Sequence, residues 1–378
     1  MPLIVISALL HLYVGWRLLP ALAGSGIAFG ALLATLIASM LLMPLGFFAR
    51  RVVRRPIADA LAWAGLLCMG LFSSLFVLTL LRDLLLLAAT AAAALAGPLP
   101  IERLAIASAW AVIVAAASIT LWGLLNARRT AAIVTIDVPI AGLPPGLHGF
   151  TIAQISDIHV GPTIKRAYLK GIVEAVNRLD ADMVAVTGDL VDGSVADLAQ
   201  HVAPLAALSS RHGTFFVTGN HEYYSGAHAW IVELRRLGVC VLMNEHVVLR
   251  HGEAALLVAG VADHGAHHFD PAHRSDPQAA LAGAPPDARV RVLLAHPPRS
   301  APAAAEAGFH LQLSGHTHGG QFWPWNHFVR LQQPFTAGLH RWRELWVYTS
   351  RGTGYWGPPK RFGAPSEITH LRMVATPA

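Results

Sequence analysis

The run Gly315-His316-Thr317-His318-Gly319-Gly320-Gln321 decides how this chain is read. Two imidazoles one residue apart in a glycine-rich turn suit metal coordination and little else. Four short clusters precede it: Asp157-Ile158-His159, Gly188-Asp189, Gly219-Asn220-His221-Glu222 and His296. Together they offer nitrogen and oxygen ligands for two divalent cations and a spare histidine for proton transfer, the constellation of metal-assisted phosphoester hydrolysis. Singly the clusters are weaker. Gly188-Asp189 is ordinary turn chemistry, and Asp157-Ile158-His159 also reads as a helix cap. Their joint occurrence at successive strand ends carries the metal reading.

The surrounding pattern gives the fold class, α/β. Strands are expected at Ile133–Ile136, Phe150–Ser156, Met183–Thr187, Gly213–Val217, Val239–Leu242, Leu256–Ala259, Arg291–Leu294, His310–Leu313 and Leu345–Thr349. Helices are expected at Ala167–Leu179, Val195–Leu208 and His228–Leu237. Strand, acidic or histidine loop, and helix alternate three times, which gives parallel strands with right-handed crossovers. Each cluster follows a strand, so the candidates converge on one sheet edge.

Upstream the composition changes. Of the 378 residues, 54% are hydrophobic and 13% charged, too apolar for one soluble domain. A span needs about 20 mostly apolar residues. Leu3–Leu19, Gly26–Phe48, Ile57–Leu81 and Leu104–Leu125 qualify; Leu84–Gly97 is short for a span and either extends the third helix or lies at the interface. The expected domains are a transmembrane helical region at 1–127, a linker and first strand at 128–149, and a catalytic domain at 150–378. The arginine groups at Arg50–Arg55 and Arg128–Arg129 mark the cytoplasmic side. Two spans between them put both groups, both termini and the globular domain in the cytoplasm, in a multi-pass protein of the cell inner membrane. His11, Arg17 and Arg82-Asp83 read as interfacial or snorkelling groups. The net charge of +6 comes largely from these flanking arginines, so nucleic acid is not an expected partner. Cys68 and Cys240 read as small buried hydrophobes, without a disulfide.

One cation could take Asp157, His159, Asp189 and His318, and a second Asp189, Asn220, His296 and His316, with Asp189 as the bridge. His221 would then be free to protonate a leaving oxygen, with Glu222 beside it orienting His221 or supporting the ligands. Mn²⁺, Fe²⁺ and Zn²⁺ all suit such ligands. Arg351 is a candidate for a phosphate oxygen, with a structural salt bridge as the equal alternative. Asp192 reads as a helix-entry residue, His264, His267, His268 and His273 as a solvated loop with a third metal site as the lesser alternative, and His228 as a histidine without a partner pattern. Trp323, Trp325, Tyr355 and Trp356 either line an acyl groove or pack the sheet edge.

From Phe150 to Met373 the five clusters, in this order and spacing, resemble the calcineurin-like metallophosphoesterase superfamily. The full Gly315–Gln321 run and the tail Ser350-Arg351-Gly352 … Arg361-Phe362-Gly363-Ala364-Pro365-Ser366-Glu367-Ile368-Thr369 look like its membrane-associated bacterial phosphodiesterase branch, some members of which act on UDP-diacylglucosamine. The resemblance implies a four-layer α/β/β/α sandwich, the ligand division above, His221 as catalytic acid, and a lipid or nucleotide-linked phosphoester substrate. His310 and Arg299 depart from the acidic residues frequent at those positions, which touches specificity rather than metal binding. The rival expectations are a phosphomonoesterase or cyclic-nucleotide phosphodiesterase, and a membrane sensor or scaffold without turnover.

Overall fold

The structure, a computed structural model, describes residues 2–52 and 56–376; Arg54 and Arg55 of the basic group lie outside the described residues. The chain forms two compact units: Met1–Leu125 with Gly357–Phe362, and Asn126–Trp356 with Gly363–Ala378.

The first unit is helical: α1 (Pro2–Leu18), α2 (Gly26–Val52), α3 (Ile57–Ala96) and α4 (Ile101–Arg128). Among the described residues these four helices are long and apolar enough to cross a membrane. Leu84–Gly97 resolves as an extension: α3 is one 40-residue helix, about 60 Å long at 1.5 Å per residue. Arg82-Asp83 does not stop it because both groups find partners. The Tyr13 hydroxyl and Arg17 Nε donate to Asp83 at 2.7 and 2.9 Å. Arg82 donates to the Ala105 carbonyl and Ser108 Oγ at 2.9 and 3.1 Å. His11 stacks on Phe72 at 3.7 Å, with Nε2 3.0 Å from Ser39 Oγ. These groups thus pair inside the bundle, as apolar surroundings demand. Helices α2 and α3 touch where Gly65 meets the Leu42 carbonyl and Gly46, so closely that a Cβ would collide, the small-residue contact that lets membrane helices approach. Ile27, Leu87, Leu95 and Val114 stay exposed, a surface suited to lipid rather than water.

The second unit holds twelve strands: β1 (Ala132–Ile140), β2 (Thr151–Ile155), β3 (Met183–Val186), β4 (Thr214–Phe216), β5 (Cys240–Val241), β6 (Glu245–His251), β7 (Ala254–Gly260), β8 (Val290–Leu294), β9 (Leu311–Ser314), β10 (Gly338–Trp342), β11 (Leu345–Thr349) and β12 (Glu367–Ala375). They form two six-stranded sheets, ordered β1-β12-β2-β3-β4-β5 and β10-β11-β9-β8-β7-β6. The runs β2-β3-β4-β5 and β7-β8-β9-β11 are parallel, with β12 antiparallel to β2.

Period-two alternation sorts the side chains into layers. Ile152, Met183, Ala185 and Phe215 meet Leu256, Val258, Val292 and Leu311 between the sheets. Their neighbours Ala153, Val184, Val186 and Phe216 face the other way, onto Leu169 and Ile172 of α5 (Arg166–Asn177), Leu198 of α6 (Val195–Val202) and Trp230, beyond α7 (Asn220–Ser225), in α8 (Ala227–Arg236). On the far side Ala255, Leu257, Ala259 and Leu293 pack against Ala301 and Ala304 of α9 (Ala301–Glu306). The result is the four-layer α/β/β/α sandwich. The helix expected to reach Leu208 ends at Val202, followed by a 3₁₀ turn over Ala203–Ala207, since Pro204 has no N–H to continue it.

Leu256 is fully buried between the sheets and Leu331 is 81% exposed. Leu256→Ala lowers unfolding stability by about 2–5 kcal/mol, transfer loss plus cavity, while Leu331→Ala stays within about 0.5 kcal/mol. Urea midpoints of the detergent-solubilised chain check this contrast.

Candidate metal centre

The parallel strands deliver the candidates. Asp157 and His159 follow β2, Asp189 follows β3, Asn220 opens α7 after β4, His296 follows β8, and His316 and His318 follow β9. Asp157, His159, Asp189, His316 and His318 all have positive φ, between 52° and 70°. Asp and His tolerate this left-handed region better than bulkier side chains, and it turns each side chain inward at once. Gly219 and Gly315 complete the packing: a Cβ on Gly219 would strike the Asp189 carboxylate, and one on Gly315 the Asp157 carboxylate.

Two groups of ligand atoms meet. In the first, His159 Nε2 and His318 Nε2 lie 3.0 Å apart, with His318 Nε2 3.5 Å from Asp157 Oδ1. In the second, His296 Nε2 lies 3.0 Å from Asp189 Oδ2 and 3.2 Å from His316 Nδ1. Asp189 Oδ2 is also 3.9 Å from His159 Nε2, so Asp189 stands between the groups. Asn220 Oδ1 is buried with no hydrogen-bond partner. An orphaned amide oxygen, and imidazole nitrogens converging with carboxylate oxygens in two groups, are the donor chemistry that divalent cations take. The donor set suits borderline dications of the Mn²⁺, Fe²⁺ or Zn²⁺ kind.

Outer partners fix the rings. His296 Nδ1 donates to the Thr187 carbonyl at 2.7 Å. The Gln333 side-chain oxygen, in the amide orientation that satisfies its neighbours, accepts from His316 Nε2 at 3.2 Å and from Arg299. Asp192 Oδ1 lies 3.1 Å from His159 Nδ1 and 2.6 Å from His221 Nδ1. Glu222 is wholly buried and accepts from the backbone N–H groups of Gly219, Asp189, Leu190 and Val191 at 2.6, 2.9, 2.8 and 3.3 Å. It ties the Gly188–Val191 loop to the Gly219 loop.

Electrostatics follow from this crowding. Burial lowers the His221 imidazole, but the Asp192 hydrogen bond and the charge of Asp189 outweigh it and raise it to about 9. Burial raises Asp189 too, yet His296, His221 and His159 hold it well below the carboxylate range. Burial and the charge of His296 lower His316 to about 3, whereas at His296 burial is outweighed by the charge of Asp189, which raises it well above the imidazole range.

Six of the seven candidate ligands, Asp157, His159, Asp189, His296, His316 and His318, therefore come together, with His221 at their edge, and Asn220 opens α7 one residue before His221. Arg351 takes its salt-bridge alternative: NH1 donates to buried Glu367 at 2.8 Å. Tyr355 packs inside, its hydroxyl 3.1 Å from Arg128. Trp356 stands half exposed with its ring 5.6 Å from that of His221. Its backbone N–H and carbonyl are both held by the Gln321 amide at 2.8 Å. Asp192 and Gln333 are functional neighbours that sequence reasoning missed. Asp192 stands three residues past the ligand Asp189, the one signal that could have marked it. Gln333 has no local signal.

Residues 150–320 match the calcineurin-like phosphoesterase family. A transmembrane protein with metallophosphoesterase domain from Bos taurus is 42% identical over 288 residues, covering 73% of this chain and 64% of the relative. An uncharacterized metallophosphoesterase from Helicobacter pylori is 39% identical over 228 residues, covering 59% of each. Another, from Aquifex aeolicus, is 32% identical over 231 residues, covering 60% of this chain and 85% of the relative. The chain spans less than two thirds of the length of the first two. With the sandwich and the clustered ligands in place, these likenesses show that the chain belongs to the calcineurin-like phosphoesterase family.

Proposed function

We propose that the protein is a membrane-bound metallophosphoesterase that hydrolyses a phosphodiester or pyrophosphate bond at a dinuclear centre. The observation that carries this reading is the meeting of two ligand groups on Asp189. Asp157, His159, Asp189 and His318 would hold one cation, and Asp189, Asn220, His296 and His316 the other. Polarisation of a phosphoryl oxygen and activation of water are the chemistry that a bound cation pair supplies. His221 is the general acid: Asp192 fixes its Nδ1, so Nε2 is the nitrogen that delivers a proton to the leaving oxygen. Glu222 and Asp192 position rather than react, because their oxygens already hold loop amides and two imidazoles. Arg351, anchored on Glu367 with its stem against Gly319, supports the ligand loop.

The substrate class we infer is amphiphilic, a lipid-borne phosphoester such as a nucleotide-linked glycolipid. Four apolar helices and the membrane-associated branch that the tail resembles support it. The catalytic domain is assigned to the cytoplasm of an inner-membrane protein by the arginine groups. A sensor without turnover has no use for an imidazole held as a proton donor beside the ligands.

Metal-stripped protein is expected to be inactive on bis(p-nitrophenyl) phosphate and restored by Mn²⁺; two bound cations with no turnover on this or on UDP-linked glycolipid overturn the enzyme reading. His221→Ala lowers kcat by about 10²–10⁴-fold on an alkyl leaving group. Its loss is smaller on p-nitrophenolate, which departs without a proton, and equal losses on both refute the acid role. Asp192→Asn weakens cation affinity about 10–100-fold through His159, read by competition with a chelating dye. Unchanged affinity removes its positioning role. A phosphatase reporter fused to the C-terminus stays silent while a fluorescent one glows; the reverse places the domain outside the cytoplasm.

A further inference from the structure

A second histidine cluster lies outside this centre. His228, in the first turn of α8, faces the loop that carries Asp270 and His273. His228 Nε2 is 3.0 Å from Asp270 Oδ2, and His273 Nε2 is 3.9 Å from the same oxygen. All three residues offer ligand atoms within 4.8 Å of one another. We propose that His228, Asp270 and His273 form a third, mononuclear divalent-cation site of the zinc type.

The distances suit it. Zinc–nitrogen bonds of about 2.0–2.1 Å in a tetrahedron set neighbouring ligand atoms roughly 3.4 Å apart, between the two separations observed. The outer contacts suit it as well. Asp270 Oδ1 caps the following turn by accepting from Ala272 N at 2.9 Å, which leaves Oδ2 directed at both imidazoles. The Tyr223 hydroxyl lies 2.9 Å from His273 Nδ1. With Nδ1–H donating to it, Nε2 carries the lone pair, the usual means of orienting a ligand histidine. Three protein ligands leave a fourth position for water or another donor, and a cleft of about 330 Å³ adjoins it, lined by Tyr223, Gly226, His228, Phe269 and Asp270.

The site also has a place in the larger arrangement. The Phe269 ring packs on Tyr223 and Tyr224, both at 5.6 Å, and the Tyr224 ring is 5.3 Å from that of His221. A cation joining α8 to residues 270 and 273 therefore pins the aromatic wall beside the proposed general acid.

The test is the difference in bound metal between proteins. Full-length chain in detergent is equilibrated against a fixed free Zn²⁺ concentration, and metal per chain is measured by mass spectrometry. His228→Ala with His273→Ala is expected to carry one equivalent fewer than the wild type, whatever the total. Asp270→Asn keeps the turn cap and loses the anionic ligand, so it separates ligation from folding and is expected to lose the same equivalent. Zn²⁺ also slows hydrogen exchange over residues 264–275 in the wild type and not in the variants. Equal metal content in all three proteins overturns the proposal. A separate His316→Ala protein reports on the dinuclear centre, so failure of that reading is seen independently.

Discussion

Burying Asp157 and Asp189 side by side is the constraint on which the globular unit depends. They are 0% and 2% exposed, and two carboxylates in that position are costly unless surrounded by donors. Each therefore accepts from the backbone of another loop: His316 N donates to Asp157 at 2.9 Å, and His221 N to Asp189 at 2.9 Å. The first bond crosses from the β9 loop of one sheet to the β2 loop of the other. Gln154 adds a second link between the sheets, donating to Thr187 Oγ1 and the Ser314 carbonyl, both at 2.9 Å. Compensating the charge thus fixes the facing edges of the sheets, and cations bound there would add to folding stability.

The same constraint accounts for the backbone. Five ligand residues sit at positive φ, a conformation that costs energy and persists where the surroundings over-determine it. Glu222 is the main brace. One carboxylate bound to four amides of two loops makes the ligand geometry a property of the fold before any cation arrives. Charge-assisted bonds of this kind are roughly twice as strong as neutral ones, enough to hold strained residues in place.

The chemistry-bearing residues were legible because metal ligation restricts residue type and parallel strands fix where ligands can stand. Asp157, His159, Asp189, Asn220, His296, His316 and His318 all follow short apolar strands, and that rhythm is visible in one dimension. The partners that orient them were not. Asp192 is an ordinary acidic residue until the fold sets it between His159 and His221, and Gln333 reaches His316 from a loop with no motif. Strands β6, β10 and β12 escaped for a related reason: β6 and β10 are edge strands with mixed polarity, and in β12 His370 and Arg372 interrupt the apolar residues, so none shows an apolar run. The length of α3 was open because Arg82-Asp83 looks like a helix end until Tyr13, Arg17, Ala105 and Ser108 supply its partners.

The run from Gly315 to Gln321 does more than carry two candidate ligands. His316 and His318 point into the ligand groups, and Gln321, also at positive φ, clamps the backbone of Trp356 through both ends of its amide. The indole then lies edge-on to the His221 ring, whose Nδ1 is held by Asp192, so one neighbour is apolar and the other ionic. An imidazole confined this way has one nitrogen bonded and little freedom to turn, which is what proton delivery to a fixed leaving oxygen requires. Because a single seven-residue turn sets two candidate ligands and the apolar neighbour of His221, a shift in that backbone disturbs both parts of the site together.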